Sequence, residues 1–313
     1  MRQEEQQSRT GISLALGNFD GLHRGHASVL AAAKTQADSL NLTPGALLFD
    51  EHPKLVLCGE APPLLMTAEE KREKLEDAGF CVLTLPFRKT KDLSPAAFLS
   101  LLETAYGVCA LSCGGNYRFG KNAAGTADTL RELCSQYGMT LTVVPDAVYK
   151  GERISSTRIR RAIEDGDMAD ANAMLLFPFS YCLPVVAGDK RGRTLGFPTL
   201  NQIFPSELIR PRAGVYASIA SFDGKRYPSV TNVGVRPTIG GDRFYSETHV
   251  FDFSGDLYGR QVEVTLLQFL RDERRFTDLA ALRAAMENDA VQAKEVLYRN
   301  GQTTEAAGES GLL

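Results

Sequence analysis

The chain has 313 residues, of which 43% are hydrophobic and 23% are charged, and its formal net charge is −3. These ordinary globular values exclude a disordered chain, a collagen-like chain and a disulfide scaffold. A slightly acidic chain has no domain-wide positive field for phosphate backbones, so we expect no nucleic-acid partner. No apolar run has the length of a membrane helix and the first residues lack a signal-peptide core, which predicts a cytoplasmic protein with no membrane partner.

The six cysteines form no Cys-x-x-Cys pair, which predicts reduced, buried thiols and no zinc site.

The first half of the chain alternates short apolar strands with amphipathic helices. Strands are predicted over residues 12–16, 46–49, 81–85, 108–113 and 140–144. Helices are predicted over residues 25–40, from the capping-box pair Thr67 and Glu70 to Gly79, between Ser94-Pro95 and Gly107, over residues 126–138, and from a cap at Ser156 to about Leu176 with a break at Gly166. This alternation is typical of a doubly wound parallel α/β sheet, whose ligands bind at the carboxyl ends of the strands.

From about residue 181 the helical pattern gives way to glycine, proline and β-branched residues. Strands are predicted over residues 215–222, 227–235, 248–253 and 261–269, with Asp223-Gly224 as a hairpin turn. A last helix begins at Thr277 or Asp278, with Leu279, Leu282 and Met286 on one face, and a polar tail follows from Gly301. The predicted fold class is α/β + β: a doubly wound parallel α/β domain over residues 1–180, then a small antiparallel β-barrel with a closing α-helix over residues 181–313.

The segment Gly-Asn-Phe-Asp-Gly-Leu-His-Arg-Gly-His at residues 17–26 follows the first predicted strand and opens a helix. Backbone N–H groups at a helix N-terminus suit an anion, and glycines let a phosphate come close. His23 and His26 are three residues apart, so both imidazoles can donate hydrogen bonds to one phosphate as its charge grows. The alternative is a pair of surface histidines at a helix start. The candidate phosphate-binding residues are Gly17, Phe19, Asp20, Gly25, His23 and His26.

A second candidate phosphate-binding element is Ile-Ser-Ser-Thr-Arg-Ile-Arg at residues 154–160. Hydroxyl and N–H groups can hold phosphate oxygens, and arginine binds them with paired donors. The candidates are Ser155, Ser156, Thr157 and Arg160. Alone, this segment favours a capped helix with a solvated basic face, but the histidines at the same sheet edge favour phosphate binding.

Residues 115–122, Gly-Asn-Tyr-Arg-Phe-Gly-Lys-Asn, are close to a P-loop. Asn122 stands where the Mg²⁺-ligating Ser or Thr belongs, so we reject that interpretation. Tyr117 and Phe119 instead suit a loop that grips a ring. The chain also has no Gly-x-Gly-x-x-Gly fingerprint, which disfavours a nicotinamide-dependent Rossmann enzyme.

A glycine-rich segment at residues 188–201 opens the β half and places basic residues between glycines, which suits a polyphosphate. Its candidate phosphate-binding residues are Gly188, Arg191, Gly192 and Gly196. Thr199 and Asn201 flank Leu200, so their side chains share one side of a strand and offer the hard ligands that Mg²⁺ prefers. The alternative is a hairpin with two surface polar residues.

Glu247 precedes the strand predicted over residues 248–253. A carboxylate near a Mg²⁺–phosphate group can take a proton from an attacking hydroxyl. In isolation this position favours a solvated glutamate at a strand end.

Taken together and in this order, these segments resemble the bacterial bifunctional riboflavin kinase/FMN adenylyltransferase family over residues 12–296. Residues 17–26 are similar to the His-x-Gly-His motif of nucleotidyltransferases, and residues 154–160 to their second phosphate-binding motif. Residues 114–120 resemble the family's Gly-x-Asp/Asn-aromatic-x-Phe-Gly segment. In the second half, residues 192–201 resemble the kinase Gly-Phe-Pro-Thr-x-Asn loop, and residues 232–238 and 256–259 match further family segments.

The resemblance implies two activities on small-molecule partners, namely flavins and ATP. The barrel would phosphorylate riboflavin with MgATP to give FMN, with Glu247 as base and with Thr199 and Asn201 serving Mg²⁺ and phosphate. The α/β domain would transfer AMP from ATP to FMN, giving FAD and pyrophosphate. The residues implied for that transfer are His23, His26, Ser156 and Arg160 at the ATP phosphates, and Asn116, with Tyr117 and Phe119, at the flavin. The expected state is a monomer or a weak homo-oligomer.

The chain departs from the family pattern in two places. Glu51 stands where the family's Phe-x-Pro-His-Pro motif has its first proline, and Leu183 and Ala187 replace a glycine and a histidine at the barrel entrance. These changes bear on substrate positioning and on the first barrel strand. Two alternatives stay open: a chain with one active half, and a flavin- or nucleotide-binding regulatory protein on the same two domains.

Overall fold

The computed structural model describes residues 11–188, 196–236, 243–299 and 301. Within these ranges the chain forms two compact units that divide between Ser155 and Ser156, and residues 63–66 belong with the second unit. No helix in these ranges is long and apolar enough to cross a bilayer.

The first unit is built on one parallel sheet. Its strands are β1 (Ile12–Leu16), β2 (Thr43–Phe49), β3 (Cys81–Leu85), β4 (Val108–Gly114) and β5 (Thr140–Val144). Their order is β3-β2-β1-β4-β5, and every pairing is parallel. The strand order reverses between β1 and β4, which is where doubly wound sheets bind ligands. The predicted α/β sheet is confirmed. β2 starts three residues earlier than predicted, because Thr43 and Pro44 pair with β1.

Six α-helices connect these strands in the described part of the unit. They are α1 (Arg24–Leu40), α2 (Pro53–Cys58), α3 (Ala68–Asp77), α4 (Phe87–Thr90), α5 (Pro95–Tyr106) and α6 (Ala127–Tyr137). The capping box of α3 is confirmed: the Glu70 backbone N–H donates to Thr67 Oγ1 at 3.2 Å, and the Thr67 N–H donates to Glu70 Oε2 at 2.7 Å. The short helices α2 and α4 were not predicted, nor was the hairpin of β6 (Val148–Tyr149) and β7 (Glu152–Arg153). Elements of two to six residues are too short to show a periodicity.

The second unit is a barrel of antiparallel strands. They are β8 (Ser180–Pro184), β9 (Leu200–Ile203), β10 (Gly214–Phe222), β11 (Lys225–Arg236), β12 (Arg243–Val250) and β13 (Gln261–Arg271), in the order β8-β13-β10-β11-β12-β9. The two outer strands approach each other where the Val186 N–H donates to the Asn201 carbonyl at 2.8 Å. Inside the barrel, Gln202 Nε2 donates to the carbonyls of Leu183 and Val262 at 2.6 and 2.7 Å. The predicted small antiparallel barrel is confirmed.

Helices α7 (Ser156–Asp165), α8 (Met168–Met174) and α9 (Leu279–Arg299) belong to the second unit. Ser156, predicted to cap this helix, is instead the first residue of α7. The predicted apolar face of α9 is wrong at Leu279, which is 69% exposed; the helix instead buries Ala285, Asp289, Ala293, Val296 and Leu297. Asp278 caps this helix, because its Oδ1 accepts from the Ala281 N–H at 2.8 Å. The tail beyond residue 301 lies outside the described residues.

The division between the units falls before the domain boundary predicted at residues 180 and 181. Helix α8 belongs with the barrel because Asn172 joins them: its Nδ2 donates to the Leu266 carbonyl at 3.0 Å, and its Oδ1 accepts from the Phe179 N–H at 2.8 Å. The boundary between the two activities stays a prediction.

No disulfide joins the six cysteines, which all lie in the described part of the chain. Only Cys113 and Cys134 are buried. The expectation of buried thiols is wrong for Cys58 and Cys109, which are exposed.

Candidate active sites

The turn between β1 and α1, residues 17–26, is called the histidine turn below. Phe19 and Leu22 adopt left-handed backbone conformations there, with φ of 52° and 41°, which makes the turn tight. A Cβ at Gly17 would lie 3.2 Å from the Phe19 ring, and one at Gly25 would lie 3.1 Å from the His23 ring. These two glycines therefore make room for side chains of the turn itself.

His23 and His26 form one stacked unit at the start of α1. Their ring centroids are 3.6 Å apart with planes 12° apart. His23 is the N-cap residue: the His26 backbone N–H donates to His23 Nδ1 at 3.2 Å. Because Nδ1 accepts this bond, the ring proton of neutral His23 is on Nε2, which can donate to a ligand. His23 is 7% exposed, so the alternative of two surface histidines does not describe this turn.

Both imidazoles are held in the neutral form. Burial lowers the pKa of His23 to about 4, and the positive charge of Arg153 adds to this effect. Burial also lowers the pKa of His26 well below its usual value, with further contributions from His23 and Lys71. At neutral pH these rings therefore act as hydrogen-bond donors without a net charge.

Lys71 of α3 is a cation at the histidine turn that the sequence patterns did not single out. Its Nζ donates to the Asn18 carbonyl at 3.1 Å. Burial lowers the pKa of Lys71, and the carboxylate of buried Asp20 opposes that shift. No sequence signal marks Lys71, because its position results from packing of α3 against the turn.

The second predicted phosphate-binding element begins in the first unit and continues in the second. Within the first unit, the Ile154 N–H donates to the Ala147 carbonyl at 2.8 Å, and a Cβ at Gly25 would lie 3.8 Å from Ala147 Cβ. The segment leading to Ser155 therefore lies close to the histidine turn.

Ser156, Thr157 and Arg160 belong to the second unit. Arg160 is 8% exposed, and its Nε donates to the Pro63 carbonyl at 2.6 Å. The phosphate-binding roles of these residues stay predictions.

The loop after β4 carries the predicted flavin-binding residues. Phe119 is 6% exposed, lies in the core of the first unit and packs against Phe98 with ring centroids 5.7 Å apart. It therefore has a packing role in this structure. Tyr117 is half-buried and stacks on Phe119 at 5.9 Å, whereas Asn116 is exposed at the loop surface. The flavin contacts of Asn116, Tyr117 and Phe119 stay predictions.

In the barrel, strand register brings three polar residues into one row. Glu247 of β12 pairs with Asn201 of β9 on one side and with Asn232 of β11 on the other. Directly paired residues project from the same face of a sheet, with Cβ atoms about 5 Å apart. Glu247 therefore lies within β12 and not before a strand, which corrects its predicted position. Its Oε1 accepts from Arg236 Nη2 at 2.5 Å.

Gly188 and Asn201 approach each other closely. A Cβ at Gly188 would lie 2.5 Å from Asn201 Nδ2, so only glycine fits beside this amide. Asn201 Nδ2 donates to the Thr199 carbonyl at 3.4 Å. Gly196 has a φ of 86° and is exposed. Arg191 and Gly192, predicted to bind phosphate, lie outside the described residues.

Two cavities of the barrel unit meet at Thr199. The larger, of about 640 Å³, is lined by Gly188, Asn201 and the loop of residues 253–258. The smaller, of about 410 Å³, is lined by Asn232, Glu247, Glu273, the end of β13 and α9. We name them the donor cavity and the acceptor cavity. No group of three His, Cys, Asp or Glu suited to a metal ion occurs among the described residues.

In comparisons with known proteins, two family models match separate parts of the chain. A family model described as FAD synthetase matches residues 5–158, and one described as riboflavin kinase matches residues 175–297. The chain is 36% identical over 295 residues to the bifunctional riboflavin kinase/FMN adenylyltransferase of Escherichia coli (strain K12), covering 93% of this chain and 94% of that one. It is 34% identical over 293 residues to the protein of that name from Bacillus subtilis (strain 168), covering 90% of each.

A crystal structure described as a macrolide-efflux protein from Streptococcus pneumoniae has the same fold. Its TM-score is 0.84 at 29% identity, over 91% of this chain and 94% of that one. An α/β unit of the FAD synthetase type, followed by a barrel of the riboflavin kinase type, defines a two-domain transferase. The chain belongs to the bifunctional riboflavin kinase/FMN adenylyltransferase family.

Proposed function

We propose that the barrel phosphorylates riboflavin with MgATP to give FMN, and that the α/β domain adenylylates FMN with ATP to give FAD and pyrophosphate. The observation that carries the kinase assignment is the row of Asn201, Glu247 and Asn232 across three strands beside the acceptor cavity. In this row the Glu247 carboxylate lies between the amides of Asn201 and Asn232. Thr199, two residues before Asn201, lines both cavities.

Glu247 is the general base of the proposed kinase reaction. It accepts the proton of the terminal ribityl hydroxyl as the hydroxyl oxygen attacks the γ-phosphorus of ATP, and the bond from that phosphorus to ADP breaks. The Arg236 guanidinium donates to the Glu247 carboxylate at 2.5 Å, and this contact orients the proposed base.

Thr199 and Asn201 fit a Mg²⁺ site with ATP phosphates. A hydroxyl and an amide oxygen are hard ligands, and Gly188 leaves the space in which the Asn201 amide lies. With its Nδ2 turned to the Thr199 carbonyl, Asn201 keeps Oδ1 as the ligand atom. Mg²⁺, when bound, neutralises charge on the transferred phosphoryl group. Gly188, Arg191, Gly192 and Gly196 are assigned to the same polyphosphate.

In the proposed adenylyl transfer, an oxygen of the FMN phosphate attacks the α-phosphorus of ATP and pyrophosphate leaves. His23 donates from Nε2 and His26 lies stacked beside it, so neutral donors face the phosphates while Lys71 supplies positive charge. His26 Nδ1 is buried without a hydrogen-bond partner in the described structure. An unpartnered buried nitrogen requires an explanation, and a ligand oxygen supplies one.

The other assignments for this transfer rest on the sequence patterns. Gly17, Phe19, Asp20 and Gly25 shape the histidine turn. Ser155, Ser156, Thr157 and Arg160 are assigned to the ATP phosphates. Asn116, Tyr117 and Phe119 are assigned to the flavin. We further propose a cytoplasmic protein that is a monomer or weak homo-oligomer and has no nucleic-acid or membrane partner, with its activities divided near residue 180.

The test is an incubation of the full chain with riboflavin, ATP and Mg²⁺, with flavins separated over time. FMN that forms and then gives way to FAD is the expected result. FMN without FAD would confine activity to the barrel. If neither riboflavin nor added FMN is converted, the proposal is wrong and the binding-protein alternative replaces it.

A further inference from the structure

The loop after β13 places a second carboxylate in the acceptor cavity. Glu273 lines this cavity together with Glu247 and Asn232. Its Oε1 accepts from Asn232 Nδ2 at 3.2 Å. The carboxylate lies over Gly234 of β11, where a Cβ would contact its carbon and both of its oxygens. The missing side chain at Gly234 therefore makes the space in which this carboxylate lies.

The register of β11 and β12 sets Glu273 next to the proposed base. Asn232 lies directly opposite Glu247 and donates to Glu273, so the amide stands between the two carboxylates. The two carboxylates differ in their hydrogen-bond donors. Glu247 is paired with the Arg236 guanidinium, whereas the hydrogen bond that holds Glu273 comes from a neutral amide. A carboxylate has about four acceptor positions, and among the described residues the hydrogen bond from Asn232 uses one of them, so Glu273 can accept from hydroxyl donors in the cavity.

We propose that Glu273 is a specificity-determining residue that accepts hydrogen bonds from the secondary hydroxyl groups on the polyol chain of the substrate that receives the phosphoryl group. This inference rests on the proposed kinase function. In riboflavin those hydroxyls follow the terminal hydroxyl along the ribityl chain. When the terminal hydroxyl is at Glu247, its neighbours along the chain come within reach of the next carboxylate. Hydroxyl donors to a charged acceptor form strong hydrogen bonds, and a chain without these hydroxyls cannot make them, so the site favours a polyol.

The test compares two flavins that share the terminal hydroxyl. One is riboflavin, and the other is an isoalloxazine with a 5-hydroxypentyl chain at N10, which lacks the secondary hydroxyls. Dissociation constants are measured by flavin fluorescence, and kcat/KM by FMN formation. The variants are Glu273→Gln, which removes the charge, and Gly234→Ala, which displaces the carboxylate. Asp272→Asn is the matched control, because Asp272 is adjacent but pairs with Arg212 instead.

For Glu273→Gln we expect riboflavin binding and kcat/KM to fall about 10- to 100-fold, with analogue binding changed less than about twofold. Gly234→Ala should show the same selective loss, and Asp272→Asn should show none. An equal loss for both flavins, or no loss for riboflavin, would overturn the inference. If wild-type protein binds riboflavin but makes no FMN, the kinase proposal fails, and the binding comparison still decides the role of Glu273.

Discussion

Glu247 of β12 and Asn201 of β9 lie directly opposite each other in an antiparallel pair, so a carboxylate and an amide project from neighbouring strands on one face. They line different cavities, Asn201 the donor cavity and Glu247 the acceptor cavity, and Thr199 lines both. The pairing therefore sets the proposed base beside the proposed metal and phosphate ligands. A one-residue slip of β12 would turn Glu247 to the other face.

Glu247→Gln should separate the two activities. Glutamine keeps the shape of the side chain but cannot accept the proton, so we expect FMN formation to fall about 10²- to 10⁴-fold. Adenylylation of added FMN should be unchanged. Initial rates with riboflavin or FMN measure this, and Glu263→Gln is the control, because Glu263 bonds Ser180 outside both cavities. Equal loss of both activities would contradict the two-site assignment.

His26→Ala should have the opposite effect. It removes one ring of the stacked pair at the histidine turn. Loss of one preorganised donor costs about 10²- to 10³-fold in rate, so FAD formation from added FMN should fall by that factor. Riboflavin phosphorylation by the same preparation is the folding control. A normal FAD yield from added FMN would exclude the role of His26.

Lys71→Met should impair only adenylyl transfer. Because both imidazoles are neutral, Lys71, whose Nζ donates to the Asn18 carbonyl, supplies positive charge at the turn, and its loss should lower the rate about 10- to 100-fold. Lys71→Arg should restore part of that activity, since it restores the charge. The control is Lys89→Met, at an exposed lysine of the same unit. If Lys71→Met forms FAD as fast as wild type, the charge is not needed.

The stability of the protein should fall in acid because of His23. Burial lowers the pKa of His23 from 6.5 to about 4, so the folded chain binds this proton less readily than the unfolded chain. The contribution of neutral His23 to the free energy of unfolding is present above pH 6.5 and is lost as the pH falls toward 4, by up to about 3 kcal/mol. The chain has no tryptophan, so urea unfolding at several pH values is followed by circular dichroism.

His23→Gln removes this titration. The variant should show a flatter dependence of unfolding free energy on pH over the same range. An equally steep profile would show that other groups cause the acid sensitivity.

Asp289→Ala should destabilise the barrel unit. Asp289 accepts two hydrogen bonds from Arg271, at 2.8 and 2.6 Å, and its side chain is 5% exposed. Breaking a buried pair leaves an uncompensated charge, which costs about 3 kcal/mol. Arg283→Ala breaks an exposed pair on the same helix and should cost less than about 1 kcal/mol. Similar urea midpoints for the two variants would contradict this ranking.

The amino-acid sequence by itself determined the features that depend on neighbouring residues. The capping box of Thr67 and Glu70, the glycine after α5 and the Asp223-Gly224 turn were all predicted, because each is a contact or a backbone conformation within a few residues. The alternation of apolar strands with helices, and its loss in the second half, likewise predicted both folds. Motif order then indicated the family, which the comparisons confirmed.

Only the tertiary structure decided how distant segments meet. The row of Asn201, Glu247 and Asn232 depends on the register of three strands, and the contact of Lys71 with Asn18 depends on helix packing. The apolar face of α9 was mispredicted at Leu279 because burial depends on which side of the helix the barrel covers. Local patterns encode turns, caps and periodicity, whereas long-range contacts arise from packing that no short segment specifies.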